Sequence, residues 1–98
     1  MRITKAQHTT ILKTTKKHFG DNATVRLFGS RLQDDKKGGD IDLLIKADNE
    51  KMNIKAKLYF LIDLKKQLGE RKIDVVFDKE KDQSRVFLES IKKKSIAL

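Results

Sequence analysis

The sequence predicts an α+β fold, a small mixed β-sheet packed by helices. Three observations predict it. Apolar residues recur at helical spacing near residues 4–19, 53–68 and 83–93. Short runs rich in Val, Ile, Leu and Phe near residues 24–28, 41–46 and 72–77 carry the alternation of strands. Between them lie turn-forming glycines and charged clusters.

Thr4 followed by Gln7 fits a capping box, in which side chains satisfy the orphan amides of a helix start. Ile11, Leu12, Thr15 and Phe19 then share a face, and Gly20 supplies the stop. His8 and His18 border that face and are read as boundary residues packing their ring carbons. Asp21 and Asn22 turn the chain into the first strand, where Val25 and Leu27 alternate with Arg26 and Phe28. Gly29 and Ser30 follow. Glycine lacks a Cβ, so the backbone there can turn sharply and approach a ligand closely. A short helix beginning near Ser30 would aim free N–H groups at an anion, with the Ser30 hydroxyl and Arg31 as further phosphate contacts. The alternative is an ordinary turn with a serine N-cap.

Residues 33–39, QDDKKGG, form a flexible connector by composition, and Lys36 and Lys37 either reach phosphates or are exposed loop charges. The second strand opens with Asp40 and Asp42. Residues two apart point to the same face, so these carboxylates lie together, roughly 6 to 7 Å apart at Cα, while Ile41, Leu43 and Ile45 point the other way. Two carboxylates at that separation can converge on a divalent cation. Residues 52–68 read as the longest helix, with Ile54, Leu58, Leu61, Ile62 and Leu68 forming a stripe expected to cover the sheet, widened by Tyr59 and Phe60. Gly69 ends it.

Residues 72–77 make the third strand, in which Asp74 faces opposite to Ile73, Val75 and Phe77. An aspartate in such a run is disfavoured, and burying it needs a partner or a metal. A solvent-facing position is the alternative. Asp82 is placed to cap a last helix, with Val86, Phe87, Ser90 and Ile91 inward. Lys92, Lys93 and Lys94 then complement its negative end or contact nucleic acid. The final Ile96, Ala97 and Leu98 either dock on a partner or fray.

Ninety-eight residues suit a single domain, 1–98. No stretch approaches the roughly 20 apolar residues that span a bilayer, and the N-terminal residues lack the apolar core of a signal peptide, so a cytoplasmic protein without membrane attachment is expected. The absence of cysteine excludes disulfides, thiolate chemistry and cysteine-ligated zinc, and two histidines make a histidine-rich metal site improbable. With 23 Lys+Arg against 14 Asp+Glu, the net charge of +9 favours encounters with polyanions without naming one.

Gly29-Ser30, nine intervening residues, then Asp40-Ile41-Asp42-Leu43 resembles the signature of the nucleotidyltransferase superfamily that includes DNA polymerase beta. The Phe-Gly-Ser-Arg start and Gly-Asp-Ile-Asp-Leu finish are most similar to its minimal nucleotidyltransferase branch, small proteins often encoded beside a HEPN-domain partner. The resemblance implies the nucleotidyltransferase fold and Mg2+-dependent transfer, with two ions held by Asp40, Asp42 and a third carboxylate, Asp74. It also implies a nucleoside triphosphate, ATP, bound through Gly29, Ser30 and Arg31. AMP would pass to a protein hydroxyl, a tyrosine of a HEPN ribonuclease toxin, with the chain as its antitoxin in a hetero-oligomer. Glycine precedes the aspartate pair where a serine is frequent in the family, and the connector is short, which bears on how the loop fits substrate. Two rival classes are a silent antitoxin that neutralises by binding and a basic nucleic-acid-binding module. The latter lacks any helix-turn-helix, zinc knuckle or aromatic RNA-binding motif.

Overall fold

A computed structural model describes residues 3–28, 41–69, 72–79 and 93–98. Helix α1, Lys5–Phe19, begins at the capping box: Thr4 Oγ1 accepts from the Gln7 amide at 3.0 Å and Gln7 Oε1 accepts from the Thr4 amide at 2.9 Å. It ends at Gly20, whose φ of +97° is a conformation other residues rarely adopt and whose N–H donates to the Lys16 carbonyl. Strands β1, Thr24–Phe28, and β2, Ile41–Lys46, pair antiparallel. A 3-10 turn at Asn49–Lys51 leads to helix α2, Ile54–Leu68, capped by Asn53, whose side chain accepts from the Ala56 amide. Strand β3, Ile73–Phe77, then returns parallel to β2, as a strand reached through a crossover helix does. A two-residue strand β4, Ile96–Ala97, adds to the free side of β1, giving the order β3-β2-β1-β4.

The fold is therefore the expected α+β arrangement, with a four-stranded mixed sheet and two helices among the described residues. Both helices pack on one face. Val25, Leu27, Ile41, Leu43, Ile45, Ile73 and Val75 meet Ile11 and Phe19 of α1 and Phe60 and Leu64 of α2 in one core. Phe19 is its aromatic centre, 5.2 Å from the Phe60 ring and 5.7 Å from that of Phe77 between centroids. Thr15 can join this core because its hydroxyl donates to the Ile11 carbonyl at 2.7 Å, leaving no unpaired polar group.

Three expectations are revised or left aside. The stripe of α2 that covers the sheet is Phe60 and Leu64, flanked by Ala56, Leu61 and Leu68. Ile54, Leu58 and Ile62 point to solvent, at 84%, 54% and 44% exposure. The helix carries apolar residues over most of its circumference, and the large Phe60 ring, meeting Phe19 and His18, takes the inward position. The C-terminal residues do not fray: Ile96 and Ala97 pair with Leu27 and Arg26, and the Leu98 amide donates to the Val25 carbonyl, an arrangement that the expectation of docking or fraying did not include. The predicted helix near 83–93 lies outside the described residues except for Lys93.

Candidate active site

The second face of the sheet is built by the residues that alternate with the core. Asp42 follows buried Ile41 and precedes buried Leu43, so the pleat turns its carboxylate away from the helices. Asp74, between buried Ile73 and Val75, is turned outward by the same logic. The parallel register then pairs Asp42 with Asp74 directly. Adjacent strands lie about 4.8 Å apart, so two side chains in register on one face are immediate neighbours. The start of this register is fixed by the Ile41 amide donating to the Lys72 carbonyl at 2.9 Å.

On the other side of Asp42, the antiparallel register with β1 places Phe28. Leu44 is buried on this face, between Phe28 and Val76, and forms an apolar floor next to the carboxylates. An open pocket of about 580 Å³ takes in Asp42, Asp74, Phe28 and Val76, and wraps the outer edge of β3 to reach Lys57 and Leu61 of α2. A smaller depression of about 380 Å³ further along the face is lined by Arg26, Leu44, Lys46 and Asp78. Asp42 is half-buried and Asp74 exposed.

Of the residues singled out from the sequence, the structure brings Asp42 and Asp74 together. Gly29, Ser30, Arg31 and Asp40 lie outside the described residues. Phe28, Lys57 and Leu61 were not anticipated at the pocket. Strand alternation could have placed Phe28 on the face of Asp42, but the helix residues become neighbours only because α2 borders the edge strand. His8 and His18 belong to α1, on the opposite face of the sheet from the carboxylates. No group of three or more His, Cys, Asp or Glu side chains placed to hold a metal occurs among the described residues. Among the described side chains lining the pocket, those able to ligate a metal are the carboxylates of Asp42 and Asp74. That set fits magnesium, which takes one or two carboxylates and completes its shell with substrate phosphates and water, better than it fits a metal preferring nitrogen or sulfur.

A second polar cluster ties the two helices together. Asp63 of α2 accepts from Lys17 at 3.0 Å and from His18 Nε2 at 2.9 Å, and its other oxygen accepts from Gln67 at 3.0 Å. Gln67 also donates to Thr14 across the helix pair. The hydrogen bond from His18, with that from Lys17, pulls the Asp63 carboxyl down to about 2. This cluster lies on the helix side and is structural.

A sheet of this topology, with neighbouring carboxylates on the face turned away from α1 and α2, suits a domain that handles phosphate through oxygen-ligated cations. The family description "Nucleotidyltransferase domain" matches residues 8–98, and the chain belongs to that family. Its chemistry is accordingly nucleotidyl transfer from a nucleotide substrate. No curated protein matches the chain. Among the described residues, no helix is long and apolar enough to cross a membrane.

Proposed function

We propose that this nucleotidyltransferase domain transfers AMP from ATP to a hydroxyl of a separate protein, a tyrosine of a HEPN ribonuclease toxin, and so acts as its antitoxin. The observation that supports the transfer site is the direct pairing of Asp42 with Asp74 on the face opposite the helices. Asp40, two residues before Asp42 in the sequence, is the third carboxylate of this reading. The acceptor assignment rests on the similarity of the Gly29-Ser30 and Asp40-Ile41-Asp42 motif to the minimal branch of the family.

In this reading Asp40, Asp42 and Asp74 hold Mg2+. Bound there, the metal neutralises charge on the triphosphate and lowers the pKa of the attacking hydroxyl. Gly29 and Ser30 amides, the Ser30 hydroxyl and Arg31 hold the outer phosphates. Asp74, on the edge strand and exposed, is the carboxylate best placed to meet an acceptor arriving from solvent and take its proton. The acceptor oxygen bonds to the α-phosphorus as the bond to the bridging oxygen breaks, and pyrophosphate leaves. Phe28 and Val76 give the pocket an apolar wall on which the nucleoside rests.

The test offers a panel of α-labelled nucleoside triphosphates, with Mg2+, to the proteins encoded beside this one, using wild type and Asp42→Ala in parallel. Label from ATP on a neighbouring HEPN-domain protein, with wild type only, is expected. Equal labelling by a folded Asp42→Ala protein would overturn the site. A stable unlabelled complex would transfer the antitoxin role to binding alone.

A further inference from the structure

The outer face of α2 is apolar without being buried. Ile54, Leu58 and Ile62 follow one another at four-residue intervals, and Tyr59 lies beside them, 51% exposed. These side chains do not serve the core, which takes Phe60 and Leu64 from the same helix. A contiguous apolar band of this kind marks an interaction surface. We propose that this face docks a protein partner whose contact surface is apolar at its centre and acidic around it.

The lysines of α2 select that occupant. Lys55 lies one turn from both Leu58 and Tyr59, Lys65 one turn from Ile62, and Lys66 one turn from Ile62. All three are exposed and interleave with the apolar residues. A second copy of this chain would bring two lysine-studded faces together on molecules that each carry +9, which like-charge juxtaposition opposes. A lipid surface requires the charges segregated from the apolar stripe, whereas here burying Leu58 and Ile62 in acyl chains would bury ammonium groups between them. A nucleic acid would satisfy the lysines but leave three branched aliphatic side chains against phosphate. A protein surface can place carboxylates between apolar contacts at the same spacing, and meets both demands. The inference is independent of the transfer chemistry, since docking needs neither nucleotide nor metal.

The test places a benzophenone amino acid at position 59, where an aromatic already stands, in the full chain expressed in its native cells. The protein crosslinked on illumination is identified, purified and titrated against unmodified chain without nucleotide or divalent cation. Expected is one protein that loses affinity by about 100-fold for the double variant Leu58→Asp, Ile62→Asp. Its association with Lys55→Glu, Lys66→Glu slows by about 10-fold and loses most of its salt dependence. Crosslinks to a second copy, to lipid or to nucleic acid, no crosslink at all, or a captured protein that binds these variants as it binds wild type would each overturn the proposal. Far-ultraviolet circular dichroism of the variants excludes unfolding as the cause. An absent AMP transfer with intact, variant-sensitive docking would count against the proposed function and leave this surface standing.

Discussion

Asp42 and Asp74 are direct register partners on neighbouring parallel strands, turned to the face of the sheet that neither long helix covers. Like charges placed opposite one another on a sheet repel, so this pairing works against the stability of the strand pair.

The first prediction follows from that pairing. Asp74→Asn keeps the size and hydrogen-bonding shape of the side chain while removing its charge and its capacity to accept a proton. Transfer is expected to fall by about 10²- to 10⁴-fold with the circular dichroism spectrum unchanged. Asp42→Ala is expected to lose transfer altogether. A folded Asp74→Asn protein with wild-type turnover would remove that residue from the site.

Cation binding should also register as stability. A ligand that binds only the folded state at 100 times its Kd stabilises by about 2.7 kcal/mol. Adding Mg2+ to wild type should therefore raise Tm by several degrees. The variant Asp42→Asn, Asp74→Asn is expected to show no such rise, which differential scanning fluorimetry with and without chelator checks.

Two neighbours on α2 should behave in opposite ways. Phe60 is fully buried against Phe19, so Phe60→Ala is expected to destabilise by about 3–5 kcal/mol through lost contacts and a cavity. Leu58→Ala removes an exposed side chain and is expected to stay within about 0.5 kcal/mol of wild type. Urea denaturation of both variants measures the difference. The reverse ranking would return Leu58 to the core.

Acid should loosen the helix pair. The carboxyl of Asp63 is held at about 2 against an ordinary value of 3.8, first by the hydrogen bond from His18 and then by that from Lys17. The folded value is depressed, so the contribution is complete above about pH 4 and is lost as pH falls towards 2. Asp63→Asn is expected to flatten the stability curve in that window, and added salt to weaken the effect in wild type because the group is partly exposed. Urea midpoints across pH 2 to 5 test both.

Much of this protein is legible one segment at a time. The Thr4–Gln7 capping box, the helix stops at Gly20 and Gly69, and the alternation of Val25, Leu27, Ile41, Leu43 and Ile45 are local features, and local sterics and hydrogen bonding decide them. The outward turn of Asp42 and Asp74 is likewise a property of each strand alone. The spacing of Gly29-Ser30 and Asp40-Ile41-Asp42 was enough to point to the family to which the chain belongs.

What tertiary structure alone decided is which surfaces meet. The residues flanking each aspartate set its face, but only the parallel return of β3 through α2 brings Asp74 into register with Asp42 rather than with another residue. Helix α2 offered the sheet two apolar faces of similar spacing, and periodicity could not choose between them. The fit of Phe60 beside Phe19 did so, and left Ile54, Leu58 and Ile62 to solvent. The final residues offered no pattern at all, yet the unpaired edge of β1 supplied the backbone groups that make Ile96 and Ala97 a strand. Local sterics dictate the direction of each side chain, and the partner on the other side of the contact is set only when the whole chain is packed.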